Sequence, residues 1–171
     1  QVGTASDGSY TFGPAGLDAG LFNNAWPIVQ YRNFSVSGST LAGFVGPVYA
    51  GPIDKCLDNF QGSATNGNKI ELFSCNYTDA QRWQVQSDGT MRTFQGKCME
   101  IANSGTVNGS LIQINDCTGS ANQIWQPVHG TLVNPGTGKC LDDPGSSTTD
   151  RTQLDIMTCD GSIGQYWTIP Q

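Results

Sequence analysis

The 171 residues are enough for one ordinary domain with a sizeable core and a short appendage. Charged residues make up only 13% of the chain and there are 22 glycines, a composition that favours an all-β, turn-rich protein over a helical one. The formal net charge is −6 and the eight Lys and Arg are scattered, so we exclude nucleic acid and anionic membrane surfaces as partners. No apolar run approaches the length of a membrane span.

Residues 1–45 contain no copy of the pattern that fills the rest of the chain. Residues 30–36 (QYRNFSV) resemble the closing strand of a β-sandwich domain in multidomain glycoside hydrolases. A segment of this length is too short for an independent core. We therefore expect a short β-rich extension, formed by the last strands of a preceding β-sandwich. The alternative is an arm that packs on the domain that follows.

Residues 46–171 repeat with a constant step of 42 residues. The first cysteine of each copy is Cys56, Cys98 or Cys140, and the second is Cys75, Cys117 or Cys159. Trp83, Trp125 and Trp167 keep the same step, with no insertion or deletion. The copies span about residues 46–93, 94–135 and 136–171. A step that is kept at so many positions indicates three copies of one structural unit.

Each copy shows the period of half-buried strands. Ile70 and Leu72 alternate with polar residues, as do Ile112 and Ile114, and Asn-Gly or Asp-Gly turns separate such segments. A unit of this size cannot bury its apolar face alone, so three must share a core. The sequence therefore predicts an all-β protein, a β-trefoil of three 42-residue repeats preceded by the short extension.

The six cysteines predict a disulfide framework. No pair has the C-x-x-C spacing of a zinc or redox site, and the number is even. The economical pairing joins the two cysteines of each copy, because it treats the three copies alike. It gives Cys56–Cys75, Cys98–Cys117 and Cys140–Cys159. Three disulfides indicate an oxidising, extracellular location, so we expect a secreted protein.

The repeated motifs resemble those of the ricin-B lectin family, and the family 13 carbohydrate-binding modules in particular. The resemblance rests on Lys-Cys-Leu-Asp at residues 55–58 and 139–142, on the second cysteine, and on the Gln-x-Trp that ends each copy. It covers about residues 46–171 and implies a twelve-stranded trefoil with up to three shallow sugar sites and no cofactor or metal. It also implies a covalently linked catalytic domain, commonly a glycoside hydrolase.

The resemblance implies which residues form each sugar site. In the family, an acid follows Cys-Leu, an aromatic ring stands two residues before the second cysteine, and a polar residue follows that cysteine. Asn and Gln then precede the Trp. The first copy has Asp58, Phe73, Asn76 and Gln81, with Ala80 in place of the Asn. The second and third copies supply these residues: Glu100, Asn115, Thr118, Asn122 and Gln123; Asp142, Met157, Asp160 and Gln165, with Gly164 in place of the Asn.

The first copy is the best candidate site, because it alone has a ring that can stack on a sugar. The sequence therefore favours a monomeric, non-catalytic module that binds galactose-, xylose- or arabinose-containing glycans. The alternative is a C-terminal fragment of a glycoside hydrolase in which the trefoil is mainly structural. Intrinsic glycosidase activity is disfavoured, because Glu71 and Glu100 are the only Glu residues and the recurring acids do not flank a cleft. A protein-binding trefoil would lack the triplicated cysteine and Gln-x-Trp pattern.

Overall fold

The computed structural model of the protein describes residues 44–51 and 53–170, so the predicted extension, residues 1–45, lies almost wholly outside the described residues. The described chain forms the following strands: β1 (Phe44–Gly46), β2 (Tyr49–Ala50), β3 (Lys55–Asn59), β4 (Ile70–Ser74), β5 (Trp83–Val85), β6 (Met91–Thr93), β7 (Cys98–Ile101), β8 (Ser110–Asn115), β9 (Gln126–Val128), β10 (Thr131–Asn134), β11 (Lys139–Asp142), β12 (Thr152–Gln153), β13 (Asp155–Thr158) and β14 (Trp167–Thr168). Short 3-10 helices lie at Phe60–Gly62, Asp79–Gln81, Ala102–Ser104, Ala121–Gln123 and Ile163–Gln165.

The strands form two antiparallel sheets. One has the order β1-β5-β6-β7-β8-β13-β11-β10-β9 and the other β12-β4-β3-β2-β14. β1 and β2 are parts of one strand interrupted at residues 47–48, and β12 and β13 are parts of another interrupted at Leu154. The fourteen short strands thus correspond to the twelve of a trefoil, and the predicted all-β class and fold are confirmed.

The core is built from the same positions of all three repeats. Ile70, Ile112 and Leu154 are fully buried, and so are Leu72, Ile114 and Ile156. The three tryptophans complete the core, and each indole Nε1 donates to a backbone oxygen in its own repeat: Trp83 to Leu57 (2.9 Å), Trp125 to Met99 (3.2 Å) and Trp167 to Leu141 (3.0 Å). The Trp of each repeat therefore serves the architecture, because a buried N–H must find an acceptor.

The three disulfides join the cysteines in the predicted pairs, Cys56–Cys75, Cys98–Cys117 and Cys140–Cys159. Each links the start of one strand to the residue that lies one or two places beyond the end of a neighbouring strand, and so closes a loop of 19 residues. Such a bridge stabilises a domain by about 3 kcal/mol, chiefly by restricting the unfolded chain. The loops that follow the second cysteines are therefore anchored close to the strands that carry the predicted site acids.

Candidate sugar-binding site

The predicted acid of each repeat is buried and lies directly opposite a second polar residue across an antiparallel ladder. These cross-strand pairs are Asp58–Glu71 (β3–β4), Glu100–Gln113 (β7–β8) and Asp142–Asp155 (β11–β13). Residues that are directly opposite on one face have their side chains in contact range. The three candidate sites therefore share one backbone framework, and they differ in the residue that lies opposite the acid.

The glutamine before each Trp is a buried clamp behind the site. Gln81 Oε1 accepts from the backbone N–H of Asn76 (2.8 Å), while its Nε2 donates to Ser74 O (3.0 Å) and to Asp58 Oδ2 (2.9 Å). Gln123 and Gln165 repeat both backbone contacts in their own copies. A buried amide with its donors and acceptor already used holds the loop and the acid in place. We therefore assign the glutamines a positioning role.

The first repeat carries an open depression of about 410 Å³. Asp58, Phe73 and Asn76, which the sequence places in the best site, all line it. Phe73 is half-buried, and Asn76 Oδ1 accepts from Thr78 N (3.1 Å) and Thr78 Oγ1 (2.7 Å), which orders the rim. The remaining lining residues are Phe60, Gln61, Gly62, Glu71, Thr78, Asp79, Ala80 and Arg151.

The acids of this depression are electrostatically distinct. Burial raises the pKa of Asp58 to about 6; the hydrogen bond from Gln81 opposes this effect, and the nearby Glu71 adds to it. Glu71 in turn pairs with Lys69, with 2.6 Å between Nζ and Oε2, and the same ammonium lies 4.6 Å from the centre of the Phe60 ring. One carboxylate oxygen of Asp58 accepts from Gln81, which leaves the other available as an acceptor.

The second repeat brings its predicted residues together, but they bind one another. Glu100 accepts from Gln113 Nε2 (2.8 Å), Asn115 Nδ2 (2.9 Å), Gln123 Nε2 (2.9 Å) and Asn122 Nδ2 (3.4 Å). A carboxylate with four amide donors has little capacity left for a ligand. The depression of about 240 Å³ nearby contains Asn122 and Ser120 but not the acid.

The third repeat has Met157 in place of the ring, and its buried acids form no ion pair within the part of the chain that the structure describes. A Cβ atom on Gly164, the residue in place of the site asparagine, would lie 2.6 Å from the backbone oxygen of Asp143, so only glycine fits there. Asp142, Asp143 and Asp155 are buried, and burial raises the pKa of each of them. Asp160 is exposed and accepts from Ser162 N (2.8 Å), as in a capped turn.

Among the lining residues of the first depression that the sequence did not predict are two charged ones, Glu71 and Arg151. Glu71, Gln113 and Asp155 are equivalent residues of the three repeats, 42 residues apart. A polar residue at this position in all three strands could have indicated that it belongs to the site. Arg151 belongs to the third repeat by sequence but lines the depression of the first. Its signal was the replacement of a glycine that stands at the same position in the other two copies, Gly67 and Gly109.

Two properties of residues 44–51 and 53–170 bear on metal binding and on membranes. No group of three or more His, Cys, Asp or Glu side chains in that range could hold a metal ion. The same range contains no helix that is long and apolar enough to span a membrane.

Solved structures resemble this chain over the trefoil. A designed threefold-symmetric protein, ThreeFoil, is 26% identical with a TM-score of 0.69, over 74% of this chain and 98% of that one. The agglutinin from Abrus precatorius is 26% identical with a TM-score of 0.67, over 79% of this chain and 51% of that one. The C-half of an earthworm R-type lectin, solved in complex with GalNAc, is 14% identical with a TM-score of 0.64, over 74% and 98%.

No curated protein matches the chain. A family model does match, that of the ricin-type beta-trefoil lectin domain, over residues 45–167. These limits enclose all three cysteine pairs and all three Gln-x-Trp motifs. The chain belongs to the ricin-type β-trefoil lectin domain family.

Proposed function

We propose that the protein is a non-catalytic, secreted carbohydrate-binding module that works through the depression of its first repeat. Its sugars are galactose-, xylose- or arabinose-containing glycans. One observation carries the proposal: of the three repeats, the first alone combines an open depression, an aromatic ring and an acid with an unused oxygen. Sugars present a C–H face that stacks on a ring, and hydroxyls that donate to a fixed acceptor.

The other two repeats support this choice by contrast. The acid of the second repeat is saturated by amide donors, and the third repeat has Met157 in place of the ring and Gly164 in place of the amide. A single shallow site binds weakly, so useful affinity for a polymer would come from tethering to an enzyme that acts on the same polymer. We therefore propose that the module targets an attached glycoside hydrolase to its polysaccharide or glycoconjugate substrate.

Catalysis by the first depression itself is disfavoured by its geometry. Asp58 and Glu71 are adjacent cross-strand neighbours in the floor of the depression, and both are buried. Glycoside hydrolysis needs two carboxyl groups on either side of the scissile bond. Two acids side by side below one face of the sugar can orient hydroxyls, but they cannot act as acid and nucleophile across the bond.

The test is binding of the chain to soluble galactan, xylan and arabinan by affinity electrophoresis and calorimetry. The key variant is Phe73→Ala, and the repeat supplies matched controls: Asn115→Ala and Met157→Ala remove the side chains at the same position of the other two copies. We expect binding to be lost in Phe73→Ala and kept in both controls.

Retention of binding in Phe73→Ala, with loss in either control, would move the site to another repeat. No binding of any polysaccharide by the unaltered chain would favour the alternative, a C-terminal piece of a glycoside hydrolase in which the trefoil is mainly structural.

A further inference from the structure

The tight turn that precedes β4, β8 and β12 in the three repeats differs in the third. The residue at its second position is Gly67 in the first copy and Gly109 in the second, both with a φ of 83°. Arg151 holds the same position with a φ of 72°. A non-glycine residue in this left-handed region costs of order 1 kcal/mol, so the third turn carries a strain that the other two avoid.

The same turn is anchored on the first repeat. The backbone N–H of Arg151 donates to Leu72 O (2.7 Å), and the side chain of Asp150 accepts from Ser74 N (2.8 Å) and pairs with Lys55. These contacts hold the chain along the outer edge of β4, the strand that carries Glu71 and Phe73. The backbone of Arg151 is therefore held beside the depression by hydrogen bonds to β4.

The local geometry places the root of the arginine beside the acid pair. At the equivalent turn of the first repeat, a Cβ atom on Gly67 would lie 3.9 Å from Gln113 Oε1. Gln113 is the counterpart of Glu71, and Gly67 is the counterpart of Arg151. By this correspondence the side chain of Arg151 starts next to Glu71, at the floor of the depression that it lines.

Three acids around the depression pair with cations other than Arg151 within the described residues. Glu71 is paired with Lys69, Asp79 with Arg82 and Asp150 with Lys55. Across residues 44–51 and 53–170, Arg151 forms no ion pair and its guanidinium makes no hydrogen bond to a side chain. The exposed guanidinium of Arg151, at the edge of a depression large enough for a sugar, is thus available to bind a ligand.

We infer that Arg151 binds an anionic group on the bound glycan, either a uronate carboxylate or a sulfate ester, so that the first-repeat site prefers acidic over neutral sugars. This inference rests on the proposed function. A planar guanidinium binds such oxyanions with two parallel hydrogen bonds, a geometry that a neutral hydroxyl does not offer. Lys69 supplies a second cation beside Glu71, which offsets the repulsion between the acids of the floor and an incoming anion.

The experiment compares acidic oligosaccharides with versions of themselves that have lost the charge. Oligogalacturonide and glucuronoxylan oligomers are measured against their carboxyl methyl esters, and a sulfated galactan oligomer against its desulfated form, by calorimetry with the full chain. The key variant is Arg151→Gly, which restores the residue of the other two turns and relieves the strain, so we expect it to fold at least as well as the parent. Arg151→Lys keeps the positive charge but lacks the planar guanidinium that can donate two parallel hydrogen bonds.

We expect the parent to bind at least one acidic member about tenfold more tightly than its neutral version, and salt at about 0.5 M to reduce this ratio. Arg151→Gly should bring the ratio of acidic to neutral binding close to one, and the ratio for Arg151→Lys should lie between those of the parent and Arg151→Gly. Comparison of the carboxylate pairs with the sulfate pair shows which anion Arg151 binds. Equal binding of acidic and neutral members by the parent, or a ratio unchanged in Arg151→Gly, would overturn the inference and leave the proposed function standing. Failure of the parent to bind any neutral or acidic glycan would instead overturn the proposed function.

Discussion

The third repeat should become more stable at neutral pH when Asp155 is replaced by Asn. Asp155 lies directly opposite Asp142, and the side chains of Asp143 and Asp155 each have a buried oxygen for which the described residues supply no hydrogen-bond donor. The equivalent pair of the second repeat is Glu100 and Gln113, in which an amide donates to the acid at 2.8 Å. Asp155→Asn is expected to reproduce that bond and remove one of two opposed charges.

The size and sign of the effect follow from the pKa. Burial, aided by the charge of Asp142, raises the pKa of Asp155 from 3.8 to about 6 in the folded protein. Unscreened, this shift makes ionisation in the folded state costlier by about 3 kcal/mol, and solvent screening reduces the expected effect to about 1 kcal/mol. Because the folded pKa is raised, the stability is complete below about pH 4 and declines as the pH rises through about 6.

The assay is urea unfolding from about pH 4 to about pH 7.5 with the disulfides intact. We expect Asp155→Asn to match the parent at the acid end and to exceed it by about 1 kcal/mol at the neutral end. Asp160→Asn is the matched control, since Asp160 is an exposed acid of the same repeat and its hydrogen bonds to residue 162 lower its pKa. Parallel stability curves for the parent and Asp155→Asn would refute the reasoning.

Three further changes test the site and the core. Ala80→Asn adds the amide that Asn122 provides in the second repeat, where it donates to the acid and to a backbone oxygen, and calorimetry should show sugar binding about two- to fivefold tighter. Gly164→Ala should lower the free energy of unfolding by about 2 kcal/mol, because the new Cβ atom would lie 2.6 Å from the Asp143 backbone oxygen and overpacking costs of order 1–3 kcal/mol. Trp125→Phe leaves a buried carbonyl without its indole donor and a small cavity, and urea unfolding should show a loss of about 2–3 kcal/mol; an unchanged midpoint for either stability variant would contradict the packing described.

The fold could be predicted from the sequence because a trefoil repeats its architecture. The constant step brings Trp83, Trp125 and Trp167 to equivalent places, and the structure buries all three with the same kind of hydrogen bond. The cysteine pairs follow the same logic. A feature that is copied three times is visible in a single sequence, since each copy serves as the comparison for the other two.

The site could be predicted only in part, because its function depends on where the copies differ. The sequence identified Asp58, Phe73 and Asn76, which lie within one repeat and line one depression. It did not identify Arg151, since a comparison made within each copy cannot show that the turn of the third repeat lies against β4 of the first. That contact depends on closure of the trefoil, which brings the last repeat beside the first.

On the proposed function, the three cross-strand pairs suggest how one repeat keeps a sugar site while the other two lose it. An acid opposite an amide becomes fully bonded within the protein, as Glu100 does with Gln113, and gains stability while it loses an acceptor. An acid opposite an acid keeps an acceptor but needs a cation nearby to avoid the cost of two buried charges. The first repeat supplies that cation as Lys69, whereas the third has Gln153 at the same position, and among the described residues its acids form no ion pair. On the proposed function, sugar binding by the first repeat therefore depends on Lys69 even if this lysine does not touch the sugar. Loss of Lys69 should weaken binding, because the buried charges of Asp58 and Glu71 would then lie together without a cation.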